Sequence, residues 1–148
     1  MVDLILWRHA EAADDIDDNS RILTAKGCKQ AEKVAAFLHR HLPQHSRILV
    51  SPAIRTQQTA AALSKHYALT PAIAPGACAN DVFMAALWPT GGGTVLVVGH
   101  QPTLGDVAAQ LLGCEHGLNI KKGALWWFGR RDGQTQTHLR MVITPDLL

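Results

Sequence analysis

Thr94-Val-Leu-Val-Val98 is the clearest strand in the chain, and Gly99-His100-Gln101-Pro102 follows it without a break. A short, continuous apolar run bounded by turn residues reads as a strand buried on both faces. Gly91-Gly-Gly93 precedes it, and Pro102 opens a helix with the apolar stripe Leu104, Val107, Ala108, Leu111 and Leu112, closed by Gly113. Working outward, the same unit recurs. Asp3-Leu-Ile-Leu-Trp7 is a strand ending in Arg8-His9, and a helix capped by Thr24 buries Ala31, Val34, Ala35, Leu38 and Leu42. Arg47-Ile-Leu-Val50 is a second strand. Ser51-Pro52 then supplies a cap and a first helical proline for a helix reaching about His66. Residues 69–73 read as a third strand and 80–88 as a weaker helix. Residues 124–128 and 136–143 read as two strands joined by the turn Arg131-Asp-Gly133. This alternation predicts an α/β three-layer sandwich: a mostly parallel sheet with helices on both faces and an antiparallel edge. With no repeat and no linker, residues 1–148 form one expected domain.

Composition excludes several classes. Hydrophobic residues are 47% and charged residues 18%, an ordinary globular balance. The longest apolar runs are about five residues, far short of a bilayer span. The start has no basic segment and too short an apolar run for a secretion signal, so a cytoplasmic location is expected. A net charge of +2 with no run of Lys or Arg argues against nucleic-acid and membrane surfaces. Cys28, Cys78 and Cys114 are widely spaced and read as free, mostly buried thiols. His39, His41 and His45 read as a solvated helix end, not as metal ligands. The acidic cluster Asp14, Asp15, Asp17 and Asp18 lacks calcium-loop spacing and reads as a solvated loop. No metal or cofactor is implied. Trp126 and Trp127 are adjacent on a strand and point to opposite faces.

The polar residues at the strand ends share one chemistry. The first strand ends at Arg8-His9, the second at Ser51 with Arg55 one turn into the next helix, and the central strand at Gly99-His100. Ligands of open α/β sheets bind beyond the carboxyl ends of the strands, so these distant residues should converge. Two helix N-termini open at the same place and favour an anion. Two arginines, two histidines and two helix ends would repel one another unless a compact dianion lay among them, and phosphate fits best. The planar fork of arginine binds two phosphate oxygens. An unprotonated histidine nitrogen can attack phosphorus.

Leu6-Trp-Arg-His-Ala-Glu11, Val50-Ser-Pro-Ala-Ile-Arg-Thr-Gln-Gln-Thr-Ala60 and Val98-Gly-His-Gln-Pro102 together resemble the histidine phosphatase (phosphoglycerate-mutase-like) superfamily. The short chain and Leu23-Thr-Ala-Lys-Gly-Cys-Lys-Gln-Ala31 resemble its small SixA-type phosphohistidine phosphatases. The resemblance implies that His9 is the nucleophile that becomes phosphohistidine. It implies that Arg8 and Arg55 clamp phosphate oxygens and that His100 donates to the phosphoryl group. Where the family has Arg-His-Gly, this chain has Arg8-His9-Ala10, a methyl group of little effect if the backbone angles there are ordinary. Arg21 is either a surface salt-bridge residue or part of the site lining. Ser51 is either a helix cap or a substrate contact.

The proton donor is the open position. Many superfamily members carry a Glu in the loop after the third strand. Here that loop is Pro75-Gly-Ala-Cys-Ala-Asn-Asp81, without Glu. Asp81 and Glu11 are the two candidates, and Asp81 also reads as a helix cap. A missing acid hampers an alkoxide leaving group more than a phosphoramidate, whose nitrogen is basic enough to take a proton readily. The strand-end connections are short, so an open crevice without a lid is expected, which argues against mutase chemistry. The leading expectation is a metal-independent phosphatase acting on a phosphorylated protein, at phosphohistidine. The alternatives are a phosphatase for a small phosphate ester, such as a sugar phosphate or nucleotide, and a non-catalytic phosphoprotein-binding module.

Overall fold

The computed structural model describes residues 1–148. Six strands, β1 (Val2–Arg8), β2 (Arg47–Val50), β3 (Ala68–Leu69), β4 (Gly93–Gly99), β5 (Leu125–Arg130) and β6 (His138–Ile143), form one sheet in the order β3-β2-β4-β1-β5-β6. The first four strands pair in parallel, and β5 and β6 add the antiparallel edge.

Alternation along the central strands sorts the core into two halves. Leu4, Leu6, Val95 and Val97 face α3 (Ala79–Ala86) and α4 (Thr103–Leu112). Ile5, Trp7, Leu96 and Val98 face α1 (Ala25–His41) and α2 (Ile54–Ala61). Both faces of β1 and β4 are buried, which is why these strands read as continuous apolar runs. The adjacent tryptophans divide in the same way: Trp126 packs against the α3–α4 half and Trp127 lies in the other.

Local chemistry sets the boundaries and corrects four expectations. The predicted strand over residues 69–73 is only Ala68–Leu69. Thr70 donates its amide to the Val50 carbonyl at 2.8 Å, but Pro71 has no N–H to continue the ladder, and residues 71–73 turn as a 3₁₀ helix. The helix expected to reach His66 ends at Ala61. There the Ser64 and Leu63 amides fold back on the Ala60 carbonyl and the Ser64 hydroxyl accepts the His66 amide. Its start also differs: α2 begins at Ile54 with Ala53 at the cap, so Pro52 is outside the helix. The three cysteines are exposed and unpaired, not buried, because they lie on the solvent face of α1, at the start of α3 and just beyond α4.

Candidate active site

The sheet brings together residues from remote parts of the chain. Arg8 ends β1 beside Gly99, its parallel partner, and the His9 amide donates to the Gly99 carbonyl at 3.1 Å. The Ser51 amide donates to the Val98 carbonyl at 3.1 Å, so the end of β2 is tied to the same corner. His9, Ser51, Arg55 and His100 are all buried there, and the His9 and His100 ring centres are 5.4 Å apart.

Two glycines hold the surrounding loops against the site. A Cβ on Gly27 would lie 2.0 Å from the Glu11 carbonyl oxygen, so only glycine lets α1 press on the segment after His9. A Cβ on Gly105 would lie 1.9 Å from the Leu118 carbonyl oxygen. That contact docks the loop after α4, whose Ile120 carbonyl accepts Arg8 Nη1 at 2.9 Å. From α2, the Thr59 hydroxyl accepts the Ala10 amide at 3.1 Å and donates to the Arg55 carbonyl at 2.8 Å. Ala10 is buried with an ordinary φ, since the non-glycine residues at positive φ are His45 and Leu87. Alanine in place of glycine therefore carries no strain.

The hydrogen bonds fix both imidazoles. His9 Nδ1 lies 2.7 Å from the Ala10 carbonyl, which can only accept, so Nδ1 carries the proton and Nε2 the lone pair. Arg55 Nη2, which can only donate, lies 3.3 Å from His100 Nδ1. The neutral His100 ring therefore carries its proton on Nε2, 2.7 Å from Ser51 Oγ. Burial is the main reason that both rings resist protonation. His9 is lowered to about 4 by burial, against the pull of the Ala10 carbonyl and with the charges of Arg55, Arg8 and Arg21 adding. His100 is lowered to about 3 by burial, then by Arg55. Burial also lowers Arg8, with Arg21 contributing.

The acidic loop makes a contact with the candidate site that the sequence does not announce. Asp18, expected to be solvated, pairs its carboxylate with Arg55 Nη2 at 3.1 Å and with Arg21 at 3.4 Å, and its carbonyl accepts Arg55 Nη1 at 2.6 Å. Desolvation, the largest single influence, raises its carboxyl, but the Arg55 and Arg21 contacts together outweigh it and hold it below the usual range. The connections after β2 and β4 are as short as expected. The segment after β1, however, lays Asp18 against Arg55. Arg21 forms the salt bridge considered for it, with Asp18, and also donates to the carbonyls of Ala12 and Ala13, from where its charge lowers Arg8 and His9.

Asp81 and Glu11 are engaged elsewhere. Asp81 closes the capping box of α3, accepting the Cys78 amide at 2.9 Å and the Cys78 thiol at 3.2 Å, and these bonds lower its carboxyl. The Glu11 carboxylate accepts the Thr24 hydroxyl at 2.7 Å, at the N-terminus of α1. A buried Nε of Arg8 and one of Arg55 have no partner within the protein. Unpaired buried donors on cations are costly, and an anion with several acceptor oxygens would satisfy them.

Comparisons with known proteins identify the family and the fold. The model of the histidine phosphatase superfamily (branch 1) matches residues 4–77. The phosphohistidine phosphatase SixA of Escherichia coli is 30% identical over 119 residues, covering 73% of each chain. A solved protein histidine phosphatase SixA complexed with tungstate superposes with a TM-score of 0.83 at 25% identity, covering 98% of both chains. A phosphoserine phosphatase from Entamoeba histolytica shares the fold, with a TM-score of 0.71 at 19% identity, each chain covered in full. The fold, the corner of arginines and histidines, and these relatives make the chain a phosphatase that belongs to the histidine phosphatase superfamily, as a SixA-type member.

Proposed function

We propose that this phosphatase hydrolyses phosphohistidine on a protein, without a metal, through a phosphorylated His9. The observation that carries the reading is the His9 tautomer: Nδ1–H is tied to the Ala10 carbonyl, which leaves the Nε2 lone pair free to attack. In the first displacement Nε2 forms a bond to phosphorus. The bond from phosphorus to the substrate imidazole breaks, and that nitrogen takes a proton from solvent water as it leaves. In the second, water attacks phospho-His9, releasing phosphate and restoring the imidazole. Arg8 and Arg55 supply fixed positive charge for the phosphoryl oxygens. A bound dianion favours the doubly protonated form of His100, which then donates from Nδ1 while Nε2 stays on Ser51.

The substrate preference rests on the proton donors. Asp81 is committed to its helix cap and Glu11 to Thr24, so a poor leaving group finds little help. A phosphoramidate needs less. A phosphorylated imidazole also protrudes from its own protein, which suits a phosphoryl site set below the surface. Small-ester hydrolysis is the second reading, and the fold shared with a phosphoserine phosphatase favours it.

The test compares kcat/KM for a histidine-phosphorylated phosphotransfer domain with that for sugar phosphates at one pH. The domain should win, and a small ester ahead by about tenfold, 1.4 kcal/mol, would install the second reading. His9→Ala should show no acid-labile phosphoenzyme and no turnover. Dialysis against EDTA should leave the rate unchanged.

A further inference from the structure

A groove of about 690 Å³ runs from Arg8 along the N-terminal turn of α1 to the chain's last residues. Arg8, Lys26, Lys121 and Lys122 line it against one acid, Asp146. Its local net charge is thus +3, more than the +2 of the whole chain, so the rest of the molecule is close to neutral. The three lysines are exposed and take part in none of the ion pairs of the structure. The wall beneath them is firm. Gln30 accepts the Glu11 amide at 2.9 Å, and the Lys121 carbonyl accepts the Ala124 amide at 3.0 Å.

Arg8 belongs both to this groove and to the phosphoryl corner, so a molecule whose phosphate meets Arg8 lays its neighbouring surface along the lysines. Their long, mobile side chains suit a broad acidic surface better than a small ligand, which needs fixed donors. We infer that the groove docks an acidic face of the protein that carries the phosphohistidine and steers that face toward Arg8. The inference rests on the phosphohistidine reading above and names the kind of partner.

The test uses the full chain and its triple variant Lys26→Glu/Lys121→Glu/Lys122→Glu. The substrates are an acidic phosphotransfer domain phosphorylated with phosphoramidate, free phosphohistidine and para-nitrophenyl phosphate. For the domain, wild-type kcat/KM should fall as sodium chloride is added, and the variant should lose about tenfold or more with a flattened salt dependence. Both small substrates should change by less than about twofold, since they lack the acidic surface. A domain rate untouched by charge reversal overturns the inference. So does an equal loss on all three substrates, which would place the lysines at the phosphoryl group. If wild type hydrolyses the ester and neither phosphohistidine substrate, the parent reading itself has failed, a result separate from the other two. The triple variant Lys26→Gln/Lys121→Gln/Lys122→Gln, which only removes charge, should show a smaller loss in the same direction. If it shows none, the inference fails.

Discussion

Strand β1 carries a charged residue near each end, Asp3 buried and Arg8 half-buried, and the two ends treat it in opposite ways. At the N-terminal end, Asp3 Oδ2 accepts Arg140 Nη1 at 2.7 Å and Trp127 Nε1 at 3.1 Å, and the Arg140 guanidinium lies 5.1 Å from the centre of the Trp127 ring. Positive and negative charge meet there, and the pair serves packing. At the C-terminal end, Arg8 and Arg55 stand around His9 and His100, with Asp18 the one carboxylate on Arg55. Positive charge exceeds negative, and the Nε donors of Arg8 and Arg55 are left without partners, whereas at the other end one oxygen of Asp3, Oδ1, lacks a partner while Oδ2 meets its cation. A cancelled charge holds a fold together. An uncancelled one stores affinity for the missing sign.

The largest break in that comparison is Arg55→Ala. It should lower kcat by about two to three decades, the loss seen when one fixed oxyanion donor is removed. Stability should change little, because Asp18 is exposed once released. Steady-state kinetics beside a denaturant melt would separate the two effects.

Acid should find the active-site end first. The folded imidazoles protonate near 4 and 3, whereas unfolded ones protonate near 6.5. Below pH 6.5 the unfolded chain therefore binds more protons, and stability falls as the pH drops toward 4. Each imidazole contributes a slope of about 1.4 kcal/mol per pH unit. Above pH 6.5 this contribution is flat. Urea midpoints from pH 8 to 4.5 for wild type and His100→Asn should show the variant with the shallower fall.

At the other end of β1, Arg140→Ala should cost about 1–2 kcal/mol, discounted because the arginine is half exposed, and should leave kcat/KM unchanged. A loss of activity at unchanged stability would reverse the roles of the two ends. The smallest effect is expected from Asp81→Asn. Ester and phosphohistidine rates should both stay within about twofold. A selective collapse of the ester rate would make this cap the proton donor.

The legible parts were those whose signal is local. Residues 94–98 announce a buried strand by composition, and Arg8-His9, Ser51 and Gly99-His100 stand at strand ends by position alone. Convergence then follows from parallel topology. Asp18 was hidden for a different reason: four aspartates in a polar loop look alike, and only the fold selects the one that meets Arg55. The lysine groove was hidden likewise, since Lys26 and Lys121 are neighbours only after α1 and the last loop have packed. The third strand is shorter than its sequence suggests because apolar residues on either side of Pro71 imitate a run that proline cannot continue. The general tendency of free cysteines toward burial misleads here, because Cys28 sits on the solvent face of α1 and Cys78 and Cys114 lie at exposed helix ends.

The pairing of Arg8 with Gly99 across β1 and β4 has a consequence for how tolerant the enzyme is of change. Parallel neighbours sit about 4.8 Å apart, a spacing set by backbone hydrogen bonds that no side chain alters. The gap between the two imidazoles is thus handed down from the sheet itself, the least adjustable dimension in the molecule. Surface loops are then free to lengthen, shorten or change sequence while the two rings keep their separation. A single residue lost from β4 would instead turn His100 to the opposite face. Variation among such enzymes should therefore collect in the loops and spare the count of residues in the two central strands.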